Sequence, residues 1–273
     1  MIRIKTKEEI KILRQGGKIL AEILNEIIRD AQVGAQTGDL EKKACELIKR
    51  AGGRPAFKSH PMSNGEPFPS ALCISKNNEI VHVPAVPSRI LEEGDIVGID
   101  IGMEWPVPNK GKIKNKHSRL GGYYTDMSKT VAIGQVGAKE QKIIDTTREC
   151  LNLAIQKVKP GANLSEIGKA IQSYAEKNGF SVVRELVGHG VGHDVHEDPQ
   201  VPNYEITDNS LKNIILKSGM VIAIEPMLNM GTWRIKTGED GMSIITEDGS
   251  WSAHFEHTIA VLDNGCEVLT KLL

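Results

Sequence analysis

Two histidines occur seven residues apart in the glycine-rich stretch VGHGVGHDVHEDPQVP, residues 187–202. Glycines flank His189 and continue at every second position, a pattern that is unfavourable inside a helix and suits backbone that bends and approaches another group closely. With His193 and His196, this stretch holds three of the eight histidines of the chain, beside three acids. Imidazoles among carboxylates are typical of metal-binding and catalytic sites, which need further partners from elsewhere in the chain.

Two carboxylates follow apolar runs that predict buried strands. Asp100 comes after residues 96–99 and Glu225 after residues 221–224, and neither run contains a lysine or an arginine. An unpaired buried carboxylate is costly, so each acid requires a partner. A distant basic residue or a solvated strand end would satisfy either acid alone, whereas metal cations would satisfy both.

The chain contains an internal repeat. Two blocks recur in the same order at offsets of 127 and 125 residues, and two further acids, Asp126 and Glu256, differ by 130. Chance similarity between two helix–helix–strand units is one explanation. The other is a duplicated half-domain, helices followed by strands, with a pseudo-two-fold axis between the copies. The aligned segments are 33–52 with 160–179, and 91–100 with 216–225.

A duplication places the four acids at equivalent points, Asp100 with Glu225 and Asp126 with Glu256. Four carboxylates that converge would balance the charge of two divalent cations, and a histidine would add a nitrogen ligand. An oxygen-rich site of this kind suits manganese, iron, cobalt or zinc. Two such ions, about 3.5–4 Å apart, can activate a water for attack on a carbonyl carbon. The spacing alone does not establish that the acids converge.

Hydrophobic periodicity predicts the elements that must position these residues. Thr6 and Glu9 match a capping box ahead of an amphipathic helix that runs to about Asp30. Glycine or proline ends each of the other three predicted helices. The other predicted elements are helices at 39–51, 138–158 and 164–177, and strands at 70–81, 96–101, 123–133, 221–228 and 252–262.

Composition narrows the class of protein. The 273 residues include 40% hydrophobic residues, enough for a substantial core, and the formal net charge of −1 gives no general attraction to nucleic acid or membrane. No apolar run reaches the roughly 18–20 residues of a membrane helix. The charged first residues lack the apolar core of a signal peptide, and the four cysteines form no CxxC pair. A cytoplasmic protein is expected.

Four motifs occur in order along the chain: CISKNNEIVHVP, GHGVGHDVHEDPQVP, MVIAIEPMLNMG and HFEHTIAV. Together they closely resemble the motifs of type I methionine aminopeptidases in their short bacterial form, members of the pita-bread metallopeptidase family. The resemblance implies the α+β creatinase/aminopeptidase fold, with a curved antiparallel sheet covered by helices. It implies one catalytic domain over 1–273, with pseudo-repeat halves at about 1–136 and 137–273.

The resemblance also assigns metal ligands, position by position. Asp126 and Glu256 would bridge two divalent ions. Asp100 would serve one ion, and His189 and Glu225 the other.

Further roles follow from the same resemblance. Glu225 matches the general base, and His196 matches the histidine that donates to the substrate carbonyl as it becomes an oxyanion. His82 matches the histidine that contacts substrate near the scissile bond. Cys73 and Trp251 fall where the family lines its methionine pocket, although packing in the core would explain both residues equally well.

The implied reaction is hydrolysis of the first peptide bond of a nascent chain, with release of methionine and preference for a small second residue. Two alternatives remain. One is an X-prolyl aminopeptidase or dipeptidase of the same fold, although IEPM at 224–227 favours the methionine branch. The other is a non-catalytic binding module, which would be expected to have lost ligands. A monomer without membrane contact is expected.

Two insertions depart from the family pattern. The first two aspartates of the family are eleven residues apart on a hairpin, whereas Asp100 and Asp126 are 26 apart, which predicts an insertion at about 104–122. A second insertion is predicted at about 60–69, near the substrate pocket. The basic segment 109–119 within the first would contact ribosomal RNA near the exit tunnel. A solvated loop tip explains the same composition.

Overall fold

The computed structural model describes residues 1–62, 65–107, 121–206 and 213–272. The helices are α1 (Lys7–Asp30), α2 (Thr37–Arg50), α3 (Ala138–Ile155) and α4 (Ser165–Lys177). The strands are β1 (Arg54–Pro55), β2 (Leu72–Lys76), β3 (Glu79–Val81), β4 (Ile96–Trp105), β5 (Tyr123–Ala132), β6 (Ser181–Val182), β7 (Gly188–Gly190), β8 (Glu197–Val201), β9 (Val221–Ile224), β10 (Met227–Asn229), β11 (Ile235–Thr237), β12 (Ile244–Thr246), β13 (Ser252–His254), β14 (Glu256–Leu262) and β15 (Gly265–Val268). Within these ranges, none of the helices is both long and apolar enough to cross a membrane.

One large sheet joins the two parts of the chain. Its path is β1-β4-β5-β14-β9-β7-β8, with β2 paired to β4 and β15 paired to β14, and the neighbouring strands pair antiparallel. Strands from the first part of the chain meet strands from the second where β5 pairs with β14. Two small sheets, β13-β10-β6 and β11-β12-β3, accompany it.

The helices cover this sheet through two apolar cores. The α1 and α2 side chains pack with those of β2, β4 and β5. The α3 and α4 side chains pack with those of β9 and β14. The predicted capping box at the start of α1 is present, because Thr6 accepts from the Glu9 N–H and the Glu9 carboxylate accepts from the Thr6 N–H. Each half of the sheet therefore has its own helix pair.

The two halves repeat backbone details as well as elements. Gln36 forms an isolated antiparallel bridge with Ile90, and Asn163 forms the matching bridge with Ile215. Glycines with positive φ recur at corresponding turns, where residues with a side chain would be strained. These matches favour a duplicated half-domain over chance similarity. The paired glycines are Gly34 with Gly161, Gly52 with Gly179, and Gly94 with Gly219.

Two predicted strands are interrupted in the structure. The strand predicted at 221–228 is β9 and β10, which are separated at Glu225, and the strand predicted at 252–262 is β13 and β14, which are separated at Phe255. In both cases one piece belongs to the large sheet and the other to the sheet β13-β10-β6. The breaks occur because the chain passes from one sheet to another, and they adjoin two of the predicted metal ligands.

The predicted hairpin insertion starts within paired strands. Residues Trp105 and Tyr123 still pair, so β4 is longer than the predicted 96–101. The basic segment 109–119 lies outside the described residues, as do residues 63–64 of the other predicted insertion.

Candidate metal and catalytic centre

The five predicted metal ligands line one cavity of about 550 Å³. Ligand atoms of Asp126, His189 and Glu256 all lie within 4.8 Å of one another. His189 Nε2 lies 3.4 Å from Glu225 Oε1. The Asp100 and Asp126 carboxyl groups are close enough for each to shift the pKa of the other. Side chains that are up to 156 residues apart in the chain therefore form one cluster.

Strand register explains how the acids meet. Ser128 on β5 pairs with Asp100 on β4 and with Glu256 on β14, so these two acids flank a small residue on one face of the sheet. Asp126 lies two residues before Ser128 and points to the same face. Glu225 directly follows Ile224, which pairs with the neighbour of Glu256.

The glycines around His189 are required by close backbone approach. A Cβ at Gly188 would lie 2.4 Å from the carbonyl oxygen of Ala223, and one at Gly190 would lie 2.2 Å from that of Asp198. Real Cβ atoms do not approach oxygen so closely, so only glycine lets β7 fit between its neighbours. The sequence interpretation of this stretch as closely approached backbone is confirmed.

Each of the four acids holds a buried oxygen without a hydrogen-bond partner: Asp100 Oδ1, Asp126 Oδ1, Glu225 Oε1 and Glu256 Oε1. Burial raises the pKa of Asp100 to about 7. Burial and then the neighbouring carboxylates raise the pKa values of the other three well above the ordinary range. No lysine or arginine of the described ranges neutralises these acids, so the distant-base explanation fails.

His189 offers the nitrogen that a metal ligand needs. Its Nδ1 lies 2.9 Å from the Gly190 carbonyl oxygen, which can only accept, so Nδ1 carries the proton and Nε2 has a free lone pair. Burial lowers the pKa of His189 to about 4, which keeps the ring neutral at pH 7. Four unsatisfied carboxylate oxygens and one free imidazole nitrogen fit divalent cations.

A second group of histidines lies across the cavity. The His196 ring is 4.5 Å from the His189 ring and 5.6 Å from the His60 ring, edge-on in both cases. Desolvation, and then its imidazole neighbours, lower the pKa of His196, so the ring is neutral and one nitrogen can donate. His82 also lines the cavity, with φ of 58°, a left-handed conformation that is strained for histidine.

Two histidines that line the cavity, His60 and His254, were not among the predicted site residues. His60 belongs to the segment treated as an insertion, and proximity of that segment to the pocket was the available signal. His254 is 3% exposed and its Nε2 has no hydrogen-bond partner. The available signal for His254 was its position two residues before Glu256, since alternate residues of extended chain share a face.

The two predicted pocket residues separate in the structure. Cys73 pairs with Asp100 across β2 and β4 and lines the cavity. Trp251 is not among the lining residues of the described part of the chain, and packs instead against the core beneath α3 and α4. His193, for which no role was predicted, lies 2.8 Å from Glu9 through its Nε2.

Comparison with known proteins gives consistent matches. Residues 11–263 match the model of metallopeptidase family M24. Methionine aminopeptidase 1 of Bacillus subtilis is 41% identical over 273 residues, all of both chains. The crystal structure of methionine aminopeptidase from Thermotoga maritima superposes with a TM-score of 0.87 at 38% identity, also over all of both chains. Prolidase from Pyrococcus horikoshii gives 0.71 at 25% identity, over 99% of this chain and 64% of that one.

Proposed function

The chain belongs to metallopeptidase family M24, and on that premise we propose that it removes the amino-terminal methionine of proteins by metal-dependent hydrolysis of the first peptide bond. The predicted pita-bread fold, with its antiparallel sheet covered by four helices, is confirmed. The full-length match to methionine aminopeptidases, against partial coverage of prolidase, favours this activity over the X-prolyl alternative. The observation that carries the proposal is the cluster of unpartnered carboxylate oxygens beside His189 Nε2.

Two divalent cations are the occupants that balance the centre. Asp100, Asp126, His189, Glu225 and Glu256 would hold them, and the four carboxylates match their charge. Manganese, iron, cobalt and zinc all suit this donor set. When bound, the ions supply Lewis-acid activation of the scissile carbonyl and lower the pKa of the attacking water.

The side chains of this chain supply the proton transfers. Glu225 accepts a proton from the attacking water and delivers it to the departing amine, as a general base and then a general acid. His196 donates a hydrogen bond to the carbonyl oxygen as negative charge develops there. His82 orients the substrate near the scissile bond, and Cys73 contributes to the wall beside Asp100.

A peptide assay in chelator tests the proposal. We expect turnover of Met-Ala-Ser to stop in chelator and to return when manganese, cobalt, iron or zinc is added. Glu225→Gln should remain folded and lose turnover, because an amide cannot accept the proton. Turnover of Ala-Pro-Ser instead of Met-Ala-Ser would support the X-prolyl alternative. Unchanged turnover in chelator, or failure to bind divalent ions at all, would overturn the metallopeptidase proposal.

Contact with the ribosome belongs to the same proposal. The segment 109–119 carries five lysines and arginines and one histidine, and its charge suits phosphate backbone near the site where nascent chains emerge. An enzyme that acts there would be cytoplasmic. We also propose that it acts as a monomer. Co-sedimentation with ribosomes should fall when residues 109–119 are deleted, and unchanged co-sedimentation would contradict the contact.

A further inference from the structure

A buried ion pair joins the segment before α1 to the residue that follows His196. Lys5 Nζ lies 2.7 Å from Glu197 Oε2, and the two side chains expose only 1% and 2% of their surface. Desolvation of both charges largely cancels the attraction in such a pair, so it contributes little net stability. A role other than stability therefore explains the Lys5–Glu197 pair better.

Glu197 also organises the loop between β7 and β8, residues 191–196. Its Oε1 accepts hydrogen bonds from the backbone N–H groups of His193, at 2.5 Å, and Asp194, at 2.8 Å. The Asp194 carbonyl in turn accepts from the Gly192 N–H at 3.1 Å. The carboxylate thus gathers the amides of the loop, and its other oxygen is held by Lys5.

Lys5 is itself fixed from two sides. Its N–H donates to the Gly219 carbonyl oxygen at 2.8 Å, just before the strand that leads to Glu225. Its side chain packs on the loop, because a Cβ at Gly192 would lie 2.7 Å from Lys5 Cε. The Lys5 backbone is therefore anchored at Gly219 while its side chain packs on the loop and its ammonium reaches Glu197.

We propose that Glu197, held by Lys5, is a positioning residue for His196. The pair fixes the loop so that the His196 ring stands edge-on to the His189 ring, 4.5 Å away, where it can reach a substrate carbonyl at the metal centre. The inference rests on the role of His196 in the proposed function. Glu197 acts through the loop backbone and not on the reacting atoms.

A double-mutant cycle separates positioning from stability. Glu197→Gln keeps the shape and an acceptor for the two loop amides, but loses the charge that Lys5 holds. We expect it to lower kcat for Met-Ala-Ser about 10- to 100-fold with little change in KM, a coupling of the size that contacting residues show. In a His196→Ala background the same substitution should change kcat less than about twofold, because no imidazole is left to position.

Lys5→Met removes the other charge of the pair. It should lower kcat when His196 is present and have little effect on kcat in the His196→Ala background. Arg14→Gln is the matched control, since Arg14 on α1 forms a partly exposed ion pair with Glu267 on β15, away from the metal centre. It should leave kcat unchanged in both backgrounds. The thermal unfolding midpoint of each variant should be measured, and all assays run below the lowest midpoint, so that every variant is folded.

The outcomes distinguish the two proposals. If His196→Ala alone keeps full kcat, the role of His196 in the proposed function fails, and the positioning role fails with it. If His196→Ala lowers kcat but Glu197→Gln lowers it equally in both backgrounds, His196 retains its role and Glu197 is only structural.

Discussion

Each acid of the centre is unfavourable by itself. Asp126 and Glu256 are 3% and 2% exposed, and each keeps an oxygen with no hydrogen-bond partner. A folded protein tolerates such groups where they serve function, and cations remove the cost. The histidines follow the same logic, because burial keeps the rings of His189 and His196 neutral and leaves one able to ligate and the other to donate.

His196→Ala should lower kcat for Met-Ala-Ser by about 10²- to 10³-fold, the loss typical when one donor to a developing oxyanion is removed. KM should change little, since the donor acts mainly in the transition state. His257→Asn is the control. The His257 side chain is hydrogen-bonded to Thr270 and points to the opposite face of β14 from the side chain of Glu256. Equal loss in both variants would indicate a general effect on folding.

Among the secondary-structure elements, the interrupted strands position the side chains of the centre. β9 ends and β10 begins on either side of Glu225, and β13 gives way to β14 just before Glu256. At both points the chain leaves one sheet for another, and residues of both sheets line the cavity. β7 must then approach β9 and β8 closely enough to bring His189 to the acids, which glycine alone permits.

Gly190→Ala should therefore damage the centre through the backbone. The added Cβ would overlap the Asp198 carbonyl oxygen at 2.2 Å, so β7 must shift and carry His189 with it. We expect a lower unfolding midpoint and at least about a tenfold loss of manganese affinity, the range seen when ligand supports are removed. Titration calorimetry with manganese measures the second effect.

Gly98→Ala is the control on β4, two residues before Asp100. A Cβ there would have no neighbour closer than 3.6 Å, which is ordinary van der Waals contact. This variant should bind manganese as the wild type does. Equal affinity of both alanine variants would contradict a close-approach role for Gly190.

The whole molecule assembles the centre from two halves. The first half supplies Asp100 and Asp126, and the second supplies His189, Glu225 and Glu256. Their helices pack in separate cores, so the centre lies where the halves meet, at the pairing of β5 with β14. Metal binding should therefore stabilise the junction, because a ligand that binds only the folded state stabilises it by mass action.

Asp126→Asn should stabilise the metal-free protein and weaken its stabilisation by metal. Burial and then the neighbouring carboxylates raise the pKa of Asp126, so ionising it is more costly in the metal-free fold than in the unfolded chain. At pH 7.5 the amide should therefore raise the unfolding midpoint in chelator, by about 2–4 °C per kcal/mol gained. The rise that manganese produces in the wild type should be smaller in the variant, because one of the proposed ligands is lost. Differential scanning calorimetry measures both.

Asp95→Asn is the control, because the pKa of Asp95 is lowered whereas that of Asp126 is raised. Hydrogen bonds from Lys76, the Glu92 N–H and Asn77 outweigh burial and lower the pKa of Asp95, so its charge stabilises the fold. This substitution should lower the midpoint equally with and without manganese. A midpoint for Asp126→Asn below that of the wild type in chelator would contradict the crowded-charge explanation.

The amino-acid sequence by itself predicted the main helices and strands, an internal repeat and, through the resemblance to a known family, five ligands that line one cavity. Helix periodicity, turn glycines and motifs are local signals, and the repeat linked Asp100 to Glu225 without any coordinates. The tertiary structure alone decided which other side chains reach the cavity. It brought His60 and His254 to the cavity, packed a partly buried Trp251 against the core and joined Lys5 to Glu197. Those placements depend on strand register, on where a chain changes sheets and on contacts between residues far apart in sequence, and no local pattern encodes them.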